Sequence, residues 1–395
     1  MYDFTASKDK VSDNSFKYKD MYKRNPDVPS GIVPMSIADM EFRTAPEITE
    51  EVKKYLDTNV LGYTDASDGY LNSIVNWMRK RHNYHIKKEW IAPSDGVVTA
   101  IGDLILCMTA PGDGVVVFSP VYNPFKRAVK MKGRTLIDIP LLLDKDGYHI
   151  DYDAFLQAAK KNTTKLVIFC NPHNPIGKVW TGEELLKVYE ICVENQLFII
   201  DDEIHHDLIM PGYKHTVMAN VAKDAGKHMA VCTAPSKSFN LAGLQTASII
   251  IQNSEILDRF KASRLDGFRS VTNVLGMVAC EAAYNYGEKW LDECIEVINR
   301  NAIYVSEFVK TNMPEIKIFP LEGTYLLWCD CRALRLEKSK LEEFMTEKAY
   351  IFADEGYIFG EEGTGFERLN IACSEQTVRE TMDRLFKAYK RYIKK

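Results

Sequence analysis

The chain has 395 residues, of which 46% are hydrophobic and 27% charged, with a formal net charge of −5. That length exceeds what one small core needs and points to two domains. The composition is that of an ordinary globular protein, and the thinly spread negative charge gives no electrostatic footprint for nucleic acid. The nine cysteines are odd in number and scattered, and the one close pair is Cys329-Asp330-Cys331. Neither a disulfide framework nor a metal site is expected from them.

From the start, Met1 to Arg24 is polar and charged and lacks an apolar signal core. No run approaches the roughly 18 apolar residues needed to cross a bilayer, so no membrane partner is expected and the chain reads as cytoplasmic. Between about residues 90 and 270, short β-branched runs alternate with helical patterns. The runs are Gly114–Phe118, Arg134–Pro140, Lys165–Cys170, Leu197–Asp201, Met229–Cys232 and Ala247–Ile251, with amphipathic stretches such as Tyr152–Lys160 and Gly182–Glu194 between them. Near-continuous apolar strands separated by helices predict a mostly parallel sheet covered on both faces, an α/β architecture.

After about residue 270 the pattern changes. Helices are expected over Thr272–Tyr286, Glu288–Asn312, Lys338–Ala349 and Glu375–Tyr392, with short strands at Lys317–Pro320 and Thr324–Trp328. The basic tail Lys387 to Lys395 interleaves with Leu385, Tyr389 and Ile393 as the solvated face of a helix does. The expected organisation is a large α/β domain over residues 46–285. A smaller α+β domain is expected from residues 1–45 and 286–395.

In open α/β sheets, ligands bind beyond the carboxyl ends of the strands. Val117-Phe118 is followed by Ser119-Pro120-Val121-Tyr122, and Phe169-Cys170 by Asn171-Pro172-His173-Asn174-Pro175-Ile176-Gly177. Ile199-Ile200 is followed by Asp201-Asp202-Glu203-Ile204-His205-His206, and Val231-Cys232 by Ala234-Pro235-Ser236-Lys237-Ser238. A lysine where a buried strand gives way to a loop must be paired or deprotonated. Four strand ends thus deliver an aromatic ring, an amide, carboxylates with imidazoles, and a lysine.

Pyridoxal phosphate (PLP) chemistry asks for this set. A carboxylate keeps the pyridine nitrogen protonated so that the ring accepts electrons, and the lysine binds the cofactor covalently and moves protons. An amide or imidazole near the phenolic oxygen tunes the ring, an aromatic side chain covers one face, and a helix N-terminus holds the phosphate. Gly96-Val97-Val98-Thr99-Ala100 opens a helical stretch at a suitable place in the chain. His205 and His206 beside Asp207 bring a metal to mind, but no third ligand cluster is visible in the sequence. His206 reads as packing or surface, and no metal is expected.

Several motifs make the resemblance specific. They are Ile37-Ala38-Asp39-Met40, Gly62-Tyr63-Thr64, Trp77 to His82, Pro120-Val121-Tyr122, Asn171 to Gly177, Asp202-Glu203-Ile204-His205, Ser236 to Gln245, and Arg368-Leu369-Asn370. On these the chain resembles, over nearly its whole length, the PLP-dependent aminotransferase superfamily of fold type I. More narrowly, it is similar to the carbon–sulfur lyase (cystathionine β-lyase) branch.

The resemblance implies that Lys237 carries the cofactor, Asp202 pairs with the pyridine nitrogen and Asn174 bonds the phenolic oxygen. His205 stands nearby, where many relatives carry a tyrosine. Tyr122 stacks on the ring, and Ser236 with the N–H groups of Val97 and Val98 holds the phosphate. Arg368 clamps the substrate carboxylate, bordered by the backbone at Ile37 and Ala38. Tyr63 is expected to reach the phosphate of a neighbouring subunit, which makes the active unit a homodimer; Tyr70 lies close to it in sequence. Asp201 and Asp202 are adjacent and alternate across the strand, and the spacing to His205 favours Asp202.

Two departures from the pattern bear on activity. Gln245 stands where many fold-type-I relatives carry a phosphate-binding arginine, which fits the lyase branch. Ser36 and Glu41 replace that branch's usual tryptophan and aspartate. The expected reaction is α,β-elimination from L-cystathionine or another cysteine S-conjugate, giving a thiol, pyruvate and ammonia. An aminotransferase is the alternative, and a regulatory or binding protein on the same fold is a more distant one.

Overall fold

The computed structural model describes residues 2–5, 13–267 and 272–392. The remaining positions of the two terminal readings, residues 1, 6–12 and 393–395, lie outside the described residues. Among the described residues no helix is long and apolar enough to cross a membrane.

The chain up to residue 250 lays down β1 (Ile91–Ser94), β2 (Gly114–Ser119), β3 (Thr135–Pro140), β4 (Leu142–Asp144), β5 (Gly147–His149), β6 (Thr164–Cys170), β7 (Phe198–Asp202), β8 (Met229–Thr233) and β9 (Ala247–Ile250). Seven of these form one sheet in the order β1-β9-β8-β7-β6-β2-β3. Neighbours from β3 through β8 pair in parallel, and β9 runs antiparallel to both β8 and β1. The expected strands therefore appear within a residue of their expected ends. The sequence reading missed β1, a four-residue strand interrupted by Pro93, and the short, half-buried β4–β5 hairpin. Both carry too little apolar patterning to stand out.

Helices explain why β2, β7 and β8 are buried at every position. Val115 and Val117 pack with Ile168, Ile200 and Cys232 under Ala100, Leu104, Phe125 and Phe260 of the helices Val97–Met108, Asn123–Met131 and Ser254–Asp266. Their strand neighbours Val116 and Phe118 face the other way. They pack with Val167, Phe169, Ile199 and Val231 against Phe155 and Leu185 of the helices Tyr152–Ala159 and Gly182–Glu194. Each such side chain contributes about 1.5–3 kcal/mol by leaving water. Thr181 fixes the start of the Gly182–Glu194 helix by a reciprocal capping box with Glu184.

A second sheet orders β10 (Lys317–Ile318), β11 (Leu326–Asp330), β12 (Asp354–Glu355) and β13 (Phe366–Asn370) as β10-β11-β13-β12, all antiparallel. The helices Glu288–Asn312 and Glu375–Tyr392 fall where expected. The expected helix Lys338–Ala349 instead ends its α-helical part at Glu343 and closes with one wider turn, Phe344–Lys348. The N-terminal arm is stitched to this region: Met35 N–H donates to the Phe352 carbonyl, Asn370 N–H to the Met35 carbonyl, and Glu41 N–H to the Ala372 carbonyl. Asn240, beyond the lysine turn, spans the arm from the other side. Its Oδ1 accepts from Met40 N–H at 3.0 Å, and its Nδ2 donates to the Met40 and Phe42 carbonyls. The arm is thereby held between the small sheet and the strand ends of the large one.

Candidate active site

The carboxyl ends of β2, β6, β7 and β8 open into a cleft of about 360 Å³. Its walls include Ala38, Val97, Val98, Tyr122, Asn174, Asp202, His205, Ser236 and Lys237, nine of the residues singled out in the sequence. Arg368 lies behind Asn174, and Tyr63 lies outside the cleft.

At one end, Gly96 caps the helix Val97–Met108 with φ +127°, a conformation open to glycine and strained for any other residue. No side chain caps this helix. The first N–H groups of an α-helix have no partner within it and carry the positive end of its dipole, so the cleft gains an anion cradle beside Ser236. Asp95, which also lines the cleft, does not spoil the cradle. Its Oδ1 accepts from Arg264 at 2.6 Å, and the same buried guanidinium donates to Ser94 Oγ and Asp103 Oδ2. Gln245, in the left-handed region at φ 47°, lines the same end.

Lys237 lies on the short turn Pro235–Ser238 directly after β8. Its Nζ donates to the Ala38 carbonyl at 2.7 Å. Desolvation is the main force bringing its pKa down to about 8; Arg368 lowers it further, while Asp39 and Asp202 oppose. Asp202, at the end of β7, is buried, and its Oδ1 accepts from the Ile204 N–H at 3.1 Å. Burial pushes its carboxyl up to about 7, against the Ile204 N–H and the charge of Lys237. Among the described residues no cationic side chain forms a direct ion pair with this buried carboxyl, and Lys237 acts on it only from farther off. Asp201 points to the other face, where burial and Glu203 hold its carboxyl well above the usual range.

His205 is buried edge-on to Tyr325, and its Nδ1 has no hydrogen-bond partner among the described residues. Burial, with Lys237 and Arg368 adding to it, holds this imidazole neutral, well below its ordinary value. Tyr122 is the N-cap of the helix Asn123–Met131, and its N–H donates to the Asn174 carbonyl. Burial raises its phenol.

Arg368 on β13 is tied down on two sides. Nη1 donates to Asn174 Oδ1 at 2.7 Å, and Nε and Nη2 donate to Asp354 Oδ2 at 3.1 and 2.5 Å. Its guanidinium lies 4.5 Å from the Phe359 ring centre. Because Arg368 claims its oxygen, Asn174 has its Nδ2 free to donate. Among the described residues, three of the five guanidinium N–H donors are engaged. Asp354 went unnoticed in the sequence because β12 is only two residues long. Asp354 also accepts from the Ile37 N–H at 2.9 Å, tying the arm to Arg368.

The two departures at the arm do not face the cleft. Ser36 is buried, with its Oγ unpartnered among the described residues. Glu41 is buried in an ion pair with Lys17 at 2.6 Å.

The residues present fit an anionic, cation-bearing aromatic aldehyde. The helix N-terminus at Gly96 suits a phosphate, the buried Asp202 carboxyl a cationic ring nitrogen, the unpartnered His205 Nδ1 a polar ring substituent, and the Lys237 amine an aldehyde carbon.

The model of the aminotransferase class I and II family matches residues 30–385. The cystathionine beta-lyase PatB of Bacillus subtilis is 39% identical over 354 residues, spanning 89% of this chain and 91% of that protein. Cystalysin from Treponema denticola, whose crystal structure contains a pyridoxal 5'-phosphate cofactor, is 44% identical with a TM-score of 0.97 over 99% of both chains. A PLP-bound C-S lyase from Staphylococcus hominis is 28% identical with a TM-score of 0.90 over 98% of each. With the family pattern running through both sheets and every wall of the cleft, the chain belongs to the aminotransferase class I and II family.

Proposed function

We propose that this protein is a PLP-dependent carbon–sulfur β-lyase that cleaves L-cystathionine or a related cysteine S-conjugate to a thiol, pyruvate and ammonia. The observation that carries the reading is a desolvated Lys237 amine, with its pKa brought to about 8, set between a buried carboxylate and a helix N-terminus. The similarity to enzymes named for C–S cleavage narrows it from the family to the lyase.

Bound in the cleft, PLP supplies an electron sink for the pair released at the substrate Cα. The chain's own residues do the rest. Lys237 is in part a neutral amine near pH 8; it takes the Cα proton and can hand it to the departing sulfur. Asp202 pairs with a protonated ring nitrogen and thereby recovers the charge partner that burial denies it. Asn174 and His205 orient the ring oxygen, Tyr122 covers a face, and Ser236 with the Val97 and Val98 N–H groups binds phosphate. Arg368 offers its two remaining N–H donors to the substrate carboxylate beside Ala38, with Asp354 and Asn174 fixing the guanidinium plane.

We read the active unit as a cytoplasmic homodimer, each chain divided into the large domain 46–285 and a small domain of 1–45 and 286–395. Support for the dimer comes from Tyr63. It is 98% exposed, sits beside exposed Val60 and Leu61, and has no role in its own chain's cleft. Solvent exposure of such an apolar loop fits burial against a second copy. Nine free thiols, eight of them buried, fit a reducing compartment.

PLP-loaded protein given L-cystathionine without any keto acid is expected to release pyruvate over many turnovers. A single conversion of the cofactor to its amine form, reversed only by a keto acid, would establish the aminotransferase instead. A second test addresses the cradle. Gly96→Ala forces a side chain into φ +127°, and its PLP dissociation constant is expected to rise at least about tenfold, a loss of ~1.4 kcal/mol. An unchanged constant would take Gly96 out of the phosphate site.

A further inference from the structure

Next to the lysine turn lies a second cluster. His82 ends the helix Asp68–His82, His206 follows β7, and His215 lies in the loop beyond. One ring nitrogen from each lies within 4.8 Å of the other two. The sequence around His206 offered no third ligand; the fold brings in His215 from nine residues on and His82 from a distant helix end. The His82 and His206 rings lie 4.0 Å apart, with His215 edge-on to His82 at 5.7 Å.

Carboxylates already orient two of these rings. His82 Nε2 lies 2.8 Å from Asp207 Oδ1, and His215 Nε2 lies 3.0 Å from Glu203 Oε2. Each ring keeps its Nδ1 for another partner, and that of His215 is buried with none among the described residues. His206 is 0% exposed on its side chain, and neither of its nitrogens has a hydrogen-bond partner among the described residues. The nearest acid oxygens stand 3.6 Å away on Glu203 and 3.5 Å away on Asp207. An imidazole tied by one nitrogen to a carboxylate and leaving the other free is how metal-ligating histidines are set. Two buried carboxylates beside three imidazoles match the charge of a divalent cation. Arg81 at the rim is already paired with Asp292 and Glu288. The cluster borders an open pocket of about 640 Å³, which gives an ion a way in and leaves room for water.

We infer that His82, His206 and His215 form a binding site for a divalent ion of the zinc class, with Glu203 and Asp207 orienting the rings and water completing the coordination. Tetrahedral Zn–N bonds need donor nitrogens about 3.4 Å apart. The three nitrogens lie within 4.8 Å of one another, so binding requires the His82 and His215 rings to pivot inward about their carboxylate contacts. Asp207 also accepts the Ser238 hydroxyl at 2.6 Å, so the ion and the turn that carries Lys237 share one carboxylate. The inference is independent of which reaction the cleft performs.

The test uses PLP-loaded protein stripped of metal by a chelator and titrated at neutral pH with Zn²⁺ and then Co²⁺, by calorimetry and absorbance. One ion per chain is expected, with cobalt d–d bands and no thiolate-to-cobalt charge transfer, since no cysteine belongs to the site. His82→Asn and His215→Gln, which leave the fully buried His206 in place, should each weaken binding at least about 100-fold. Absence of binding, a thiolate band, or binding that survives both substitutions overturns the site. The wild-type cobalt spectrum decides the ligand type even if a variant fails to fold.

Discussion

Lys237→Ala is expected to lower kcat for pyruvate release by at least about 10⁴-fold, because one substitution removes both the covalent anchor of the cofactor and the proton carrier. The loss should leave the fold intact, and the direction of the lysine's shift says why. Its pKa falls from 10.5 in the unfolded chain to about 8 in the folded one. The protonated amine is therefore a burden on the folded state that is full below pH 8 and gone above 10.5. Without cofactor, the alanine variant should melt no lower than the parent at pH 7, the lost bond to the Ala38 carbonyl being offset by relief of that burden. Borohydride should fix PLP to the parent chain and not to the variant. Turnover within tenfold of the parent would remove Lys237 from the chemistry and the lyase reading with it. A regulatory role on the same fold would instead survive the substitution.

Asp202→Asn should cut kcat by about 10²–10³-fold, the usual loss when one oriented charge at a reacting centre is removed. It carries a stability signature of opposite sign in the cofactor-free chain. The Asp202 carboxyl moves from 3.8 to about 7 on folding, so its ionised form penalises the folded state fully above pH 7 and not at all below 3.8. The cofactor-free asparagine variant should therefore be the more stable at pH 8, by up to about 4 kcal/mol, with the gap closing as pH falls to 4. Loading PLP should invert the order at pH 8, because the carboxylate then has a cation to face. Parallel urea unfolding of both proteins at the two pH values, with and without PLP, reads all of this. An advantage that stays the same at pH 4 and pH 8 would mean that Asp202 is not the desolvated acid of the cleft.

Much of this was readable from residue order, for physical reasons. Strands buried on both faces are near-continuous apolar runs, so β2, β6, β7 and β8 stood out, and whatever follows them must gather at one sheet edge. Tyr122, Asn174, Asp202 and Lys237 were found in that way. What escaped depends on contacts between distant segments. Asp354 sits on a two-residue strand, Arg264 reaches Asp95 from a helix far along the chain, and His82 meets His206 and His215 only because a helix end packs against the stretch that follows β7. Except for the nine-residue step from His206 to His215, none of these leaves a local period or spacing. Arg368 lies between these cases: the motif revealed the residue, but not its ties to Asn174 and Asp354.

The resting partner of Lys237 is a main-chain oxygen. A backbone carbonyl survives any substitution at its own residue, so the side chain at position 38 can be changed while the free lysine amine, before the cofactor binds, keeps its docking point. Since the same residue borders the place expected for the substrate carboxylate, substrate selectivity can drift at Ala38 without disturbing the amine that does the chemistry. Position 38 is therefore where a library could vary how the substrate carboxylate end is seated at the least risk to turnover.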